Sequence, residues 1–150
     1  MYDKEKAALY GEVFWCRRNP AYPAFKYDGG NFISQCLLAG GLLMEDTDDS
    51  ESGWWYRAQE GTYSASWVEP DALYWYLHSP LFTSILREPQ EAASLERGDL
   101  IFYDFNGDGP YQHVAIVTAL DDSGMPLVCS HSRNFYQHGW AYLEKGETTR

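Results

Sequence analysis

The stretch Leu95–Phe105, "LERGDLIFYDF", decides the fold. A Gly-Asp turn leads into a run rich in apolar and aromatic residues, which reads as a strand. Residues 113–120, "HVAIVTAL", form a second strand with β-branched residues. "DDSG", residues 121–124, makes a turn, and residues 125–132, "MPLVCSHS", supply a third strand. Upstream of Ser94 the pattern is helical. Tyr2–Arg18 has Asp3 as a cap and an apolar stripe of Ala7, Ala8, Val13, Phe14 and Trp15. Pro20, Pro23 and the glycines then break it. A second helix is expected over Asn31–Ala39, closed by Gly40-Gly41. Ser66 or Glu69 can start a third through "PDALYWYLHS", with Pro70 at a tolerated first-turn position. Helices first and strands second argue for an α+β fold, N-terminal helices packed on a C-terminal antiparallel β-meander. The length suits one domain over residues 1–150.

Composition sets the outer limits. The net charge is −11, from 11 basic and 22 acidic residues, and argues against nucleic acid and anionic membranes as partners. No apolar run reaches the ~20 residues of a membrane span. The first residues, "MYDKEKAALYGEVF", lack the basic start and apolar segment of a signal peptide. The compartment stays open between a cytosolic chain and an extracellular domain of a larger protein. Aromatics make up 17% of the chain, which fits either a lined cleft or an aromatic-heavy core. The three cysteines, Cys16, Cys36 and Cys129, have no disulfide or zinc spacing.

Residues 28–42, "DGGNFISQCLLAGGL", read as a glycine turn opening into a short amphipathic helix. Such a helix start favours an anion or a thiolate, because free amides and the helix dipole meet there. The first polar residue there is Asn31, which is no nucleophile.

Several segments together, "YDKEKAALYGEVFWCRRNPAYPAF", "GGNFISQCLLAGG", "GWWYRAQ", "SASWVEPDALYWYL", "RGDLIFYDFNGDG" and "HVAIVTAL", resemble the putative amidase domain family. The order of the segments is the family's, and they cover the chain from Tyr2 to about Tyr142. The resemblance implies a papain-like scaffold, and the second half is similar to NlpC-type cell-wall peptidases. It implies a bacterial cysteine hydrolase acting on a peptide or cell-wall fragment. It also implies a Cys nucleophile at the start of the first long central helix, a His base and a polar residue orienting that base. The family's motif resembles Gly-Gly-Asp-Cys-x-Asn-Phe-x-Ser-Gln-Cys. Here the chain runs from Gly30 directly to Asn31, so the positions Asp-Cys-x are missing and the thiol with them. Two readings stay open: a chain without its nucleophile, hence a peptide- or glycan-binding module, or a molecule that carries the three residues in addition to this sequence. A Gly30–Asn31 Cα separation well beyond ~3.8 Å would expose the second. Cys36 lies seven positions past the expected nucleophile, on the same helix face but about 10 Å deeper, where a thiol is core.

The resemblance makes His113, at the start of "HVAIVTAL", the expected general base, facing the helix start. His131, in "CSHS", is the expected orienting residue, with Ser130 and Asn134 as competitors. Gln35 follows the expected nucleophile instead of preceding it, so no oxyanion role passes to it. His78 and His138 read as surface residues. Trp54, Trp55 and Trp67 are expected among the cleft walls, with some of the aromatics serving as core. "DFNGDG" carries calcium-loop spacing at Asp104, Asn106 and Asp108, but its twelfth position is Ala115. The competing reading is a hairpin loop built from turn residues. No cofactor beyond such a structural calcium is expected.

Overall fold

The computed structural model describes residues 2–25, 28–83, 86–89, 91–131 and 135–140, with the backbone alone at 135–138. It is an α+β structure. Helix α1 is Lys4–Phe14 and α2 is Gly29–Ala39. A small ribbon of β1, Tyr56–Arg57, and β2, Thr62–Tyr63, precedes the short α3, Ala65–Val68, and α4, Pro70–Leu77. The strands β3, Leu100–Tyr103, β4, His113–Leu120, β5, Pro126–Ser130, and β6, Phe135–Gly139, form one antiparallel meander in sequence order.

Asp3 caps α1 as expected, its Oδ1 accepting from the Glu5 and Lys6 amides at 3.0 and 3.1 Å. The buried face of α1 is small: Ala7, Ala8 and Gly11. A Cβ on Gly11 would stand 3.0 Å from Ile116 Cγ2 and 3.7 Å from Cys36 Sγ. Small residues therefore let α1 lie close to both α2 and β4. Val13, expected in the core stripe, is exposed instead.

Helix α2 departs further from expectation. It is not amphipathic: every residue from Gly29 to Leu37 is buried. A helix covered on all sides is the centre of its domain. Its polar members are tolerated because each is hydrogen-bonded. Ser34 donates to the Trp67 carbonyl at 2.8 Å and accepts from the Trp54 indole at 3.0 Å. Gln35 accepts from the Tyr10 hydroxyl.

The two faces of the sheet separate by the alternation of strand residues. Leu100, Phe102, Val114, Ile116 and Cys129 face the helical core with Phe32, Ile33 and Leu73. Ile101, Tyr103, Ala115, Val117 and Val128 form a second apolar layer with Leu95, Phe105 and Trp140 on the other face. Tyr103 pairs with His113 and Ile101 with Ala115 in the β3–β4 register. The Tyr103 hydroxyl donates to the Trp140 carbonyl at 2.6 Å, which ties the residue after β6 to this layer. Among the described residues no helix is long and apolar enough to cross a membrane.

Glycine at position 30 is fixed by space. A Cβ there would lie 2.2 Å from the Val68 carbonyl oxygen, so α3 backs directly onto the first turn of α2. Helix propensity alone favours alanine over glycine by about 1 kcal/mol. Overpacking against backbone outweighs that gain. Gly30→Ala is expected to lose at least about 2 kcal/mol net in urea denaturation. A variant as stable as the parent would show that α3 yields without cost.

Candidate functional site at the start of the central helix

The first turn of α2 is complete. Asp28, Gly29, Gly30 and Asn31 follow one another without interruption, and the Phe32 amide donates to the Asp28 carbonyl at 2.9 Å. That bond spans the Gly30–Asn31 step and closes an ordinary helical turn. Asp28 occupies the N-cap position, but its side chain caps no amide of α2.

The Asp28 carboxylate turns to other partners. One oxygen, Oδ2, meets His131 Nδ1 at 2.6 Å. The other, Oδ1, accepts from Asn31 Nδ2 at 3.0 Å and from the Phe25 amide at 3.2 Å. Arg18 Nε stands 3.5 Å from Oδ2 at the rim. Asn31 Nδ2 also donates to the Pro23 carbonyl at 2.9 Å, and Asn31 Oδ1 accepts from the Trp67 indole at 2.9 Å. His131 completes the cluster: its Nε2 lies 2.6 Å from the Phe14 carbonyl, and its ring stacks on Phe32 with centroids 3.9 Å apart. Asp28 and His131 are 1% and 3% exposed, so this ion pair is dry.

Both nitrogens of His131 face acceptors, a carboxylate and a carbonyl. Only an imidazolium donates from both. Burial pushes the Asp28 carboxyl up. The hydrogen bonds from His131, Asn31 and the Phe25 amide, with the charge on His131, outweigh burial and hold it below the usual carboxylate range. A carboxyl lowered on folding contributes stability above its unfolded value near ~3.9, and that contribution is lost as pH falls through the folded value. Asp28→Asn is thus expected to melt below the parent at pH 6 and to show a flatter decline in Tm between pH 5 and pH 2.5. Parallel acid limbs in the two proteins would contradict the pairing.

The other expected residues are placed differently. His113 is buried but lies on the sheet face away from α2, beside Tyr103 and Phe105, with ring centroids at 5.4 and 5.9 Å. Strand alternation explains this: His113 shares a face with Ala115 and Val117, while Val114 and Ile116 turn to the helices. The expectation that His113 faces the helix start is corrected accordingly, as is the pairing of His131 with it. His131 shares the face of Cys129 and reaches Asp28 instead. Ser130 is buried on β5, Asn134 lies outside the described residues, and so does the side chain of His138. His78 is half-buried, held by the Tyr74 carbonyl and Glu88.

Of the three tryptophans, only Trp55 lines a pocket, a shallow one shared with Asp48, Arg57 and Tyr63. Trp54 and Trp67 are core, with indole N–H groups bonded to Ser34 and Asn31. Trp55 is 3% exposed and carries the Arg57 guanidinium over its ring at 4.8 Å. In the "DFNGDG" loop, the buried Asp104 accepts from the Gly107 amide at 2.9 Å and the Gly109 amide at 2.8 Å. Asp104 thus organises the hairpin turn, while Asn106 and Asp108 stay exposed. No group of three or more His, Cys, Asp or Glu that could hold a metal occurs among the described residues.

Cys36 is fully buried two turns inside α2, and burial pushes its thiol well up. Cys129 is buried with its Sγ 3.4 Å from the Thr118 hydroxyl, and Cys16 is exposed beyond the end of α1. All three are free thiols. Sequence reasoning missed Asp28 as a site residue. Its signal is an acidic residue directly before a glycine-opened helix, but its partner lies 103 positions away.

The sequence model of the putative amidase domain matches residues 1–150. The chain belongs to that family. It is similar to the uncharacterized protein YhbB of Bacillus subtilis (strain 168), with 39% identity over 141 residues. Those residues are 94% of this chain but 45% of the relative, so the chain spans less than half of that protein's length. No solved structure matches this family member.

Proposed function

We propose that this chain is a non-hydrolysing member of the putative amidase domain family, a module that recognises a peptide or cell-wall peptide fragment without cleaving it. One observation carries the reading: α2 opens on glycine, and no thiol stands at its first turn. The complete turn supports an ungapped register. Asp28-Gly29-Gly30-Asn31-Phe32-Ile33-Ser34-Gln35-Cys36 then runs in step with Asp-Cys-x-Asn-Phe-x-Ser-Gln-Cys of the family resemblance. Gly29 stands in the place of the nucleophile, and nothing is deleted. The base is lost too: His131 is committed at both nitrogens, and His113 faces the other side of the sheet. A papain-like or NlpC-like scaffold remains part of this reading, as does an acidic surface that disfavours nucleic acid.

The alternative, a cysteine amidase, requires a reactive thiol. In the folded protein only Cys16 is accessible to iodoacetamide; Cys36 and Cys129 are expected to react only with unfolding. Incubation with peptidoglycan-derived peptides is expected to release no new amine, while calorimetry registers binding. Amine release abolished by alkylation would establish the amidase instead. Absence of both turnover and heat would remove the binding module as well.

A further inference from the structure

Strand β3 is an edge strand: in the order β3-β4-β5-β6 it pairs with β4 alone. Antiparallel parity fixes where its backbone groups point. The Asp99 carbonyl accepts from the Val117 amide at 2.8 Å, and the Tyr103 carbonyl accepts from the Gln112 amide at 2.9 Å. Residues 99, 101 and 103 therefore turn their backbone groups to β4. The amides and carbonyls of Leu100 and Phe102 point the other way, and no hydrogen bond reaches them among the described residues. A cleft of ≈ 1070 Å³ runs along this edge, lined by residues 98–102 together with residues 86–89, 91, 92 and 94–96. Leu37, Leu77 and Phe82 reach it from the core, and Leu100 and Phe102 stay half-buried. Two anchors hold the flanking residues in place. Tyr74 Oη donates to Glu88 Oε1 at 2.7 Å, and His78 bonds the same carboxylate. Lys4 Nζ joins Glu96 at 3.2 Å and Asp99 at 2.9 Å.

We propose that β3 accepts an extended peptide as an additional strand, its backbone bonded to Leu100 and Phe102 and its side chains alternating into the cleft. Donor and acceptor groups recur at every second residue of the edge, about 7 Å apart. An extended peptide presents the same repeat, whereas a helix turns its backbone groups inward. Exposed edges are commonly blunted by charge or proline. β3, Leu-Ile-Phe-Tyr, carries neither. Its four residues set the length of the pairing. The charged groups along the cleft are Glu88, Glu91, Glu96 and Asp99 against Lys4 and Arg87. That acidic excess favours a ligand with basic side chains. Leu37, Leu77 and Phe82 favour an apolar side chain between them. The partner is thus a linear peptide with an apolar centre and basic flanks. This rests on the reading of the chain as a peptide-binding module, and adds where the peptide lies and in which conformation.

Acetylated and amidated Lys-Val-X-Val-Lys peptides, with X as Ala, Leu or Phe, are titrated into the intact protein by calorimetry and by NMR. The Leu and Phe peptides are expected to bind roughly tenfold tighter than the Ala peptide. Saturating peptide is expected to slow hydrogen exchange at the Leu100 and Phe102 amides at least about tenfold, while Ile101, already turned to β4, is unchanged. Methylating the peptide's backbone nitrogens one at a time is expected to weaken binding roughly tenfold at alternate positions and less than about twofold between them, because only every second amide donates to β3. Binding without protection of the two amides, or without alternation in the methyl series, overturns strand addition and leaves the binding module standing. Silence from the whole set, while peptidoglycan-derived peptides give heat, does the same. Silence from both classes removes the binding module and strand addition together. Protection that grows with protein concentration before peptide is added assigns the edge to a second copy of this chain and overturns the peptide.

Discussion

A single dry ion pair organises the junction on which this fold depends. Asp28 and His131 come from the two halves of the chain, and each brings further partners with it. Through them the end of α1, the start of α2, the segment between, and the end of β5 share one polar cluster. A buried pair of this kind is weak evidence of net stability, since the desolvation of both ions opposes their attraction. Its strength here lies in specificity. Removing either member leaves the other buried without its nearest opposite charge, which disfavours alternative packings of the helical half on the sheet.

The same junction joins the helix around which the rest of the domain is built. The central helix is enclosed from Gly29 to Leu37, and its amide, hydroxyl and carboxamide groups find partners on Trp54, Trp67 and Tyr10. Aromatic residues that could have walled a cleft act instead as donors into the core. The abundance of tryptophan and tyrosine is thus tied to satisfying a buried polar helix as much as to filling volume.

Much of this was legible in the chain, and the failures share one cause. The order of helices and strands, the Asp3 cap, Pro70 at a helix start and the turn chemistry of "DFNGDG" all follow from local rules, and the structure contains them. The amphipathic reading of α2 failed because a helix covered from every direction carries no one-sided pattern for periodicity to detect. His113 and His131 were both visible as candidates, but strand parity sends them to opposite faces. Parity depends on register, which spacing along the chain does not give. The three-residue loss follows from anchoring the motif on the glycine pair; the register proposed above anchors it on Asp28, whose partner lies far along the chain. The fourth strand, Phe135–Gly139, had no strong local signal and was missed.

The contact between Gly30 and the Val68 carbonyl reaches beyond stability. Any side chain there requires the Ser64–Glu69 backbone to retreat, so the sequence of this turn and the path of α3 cannot drift independently: a change at position 30 becomes tolerable only after a change elsewhere has moved the segment behind it.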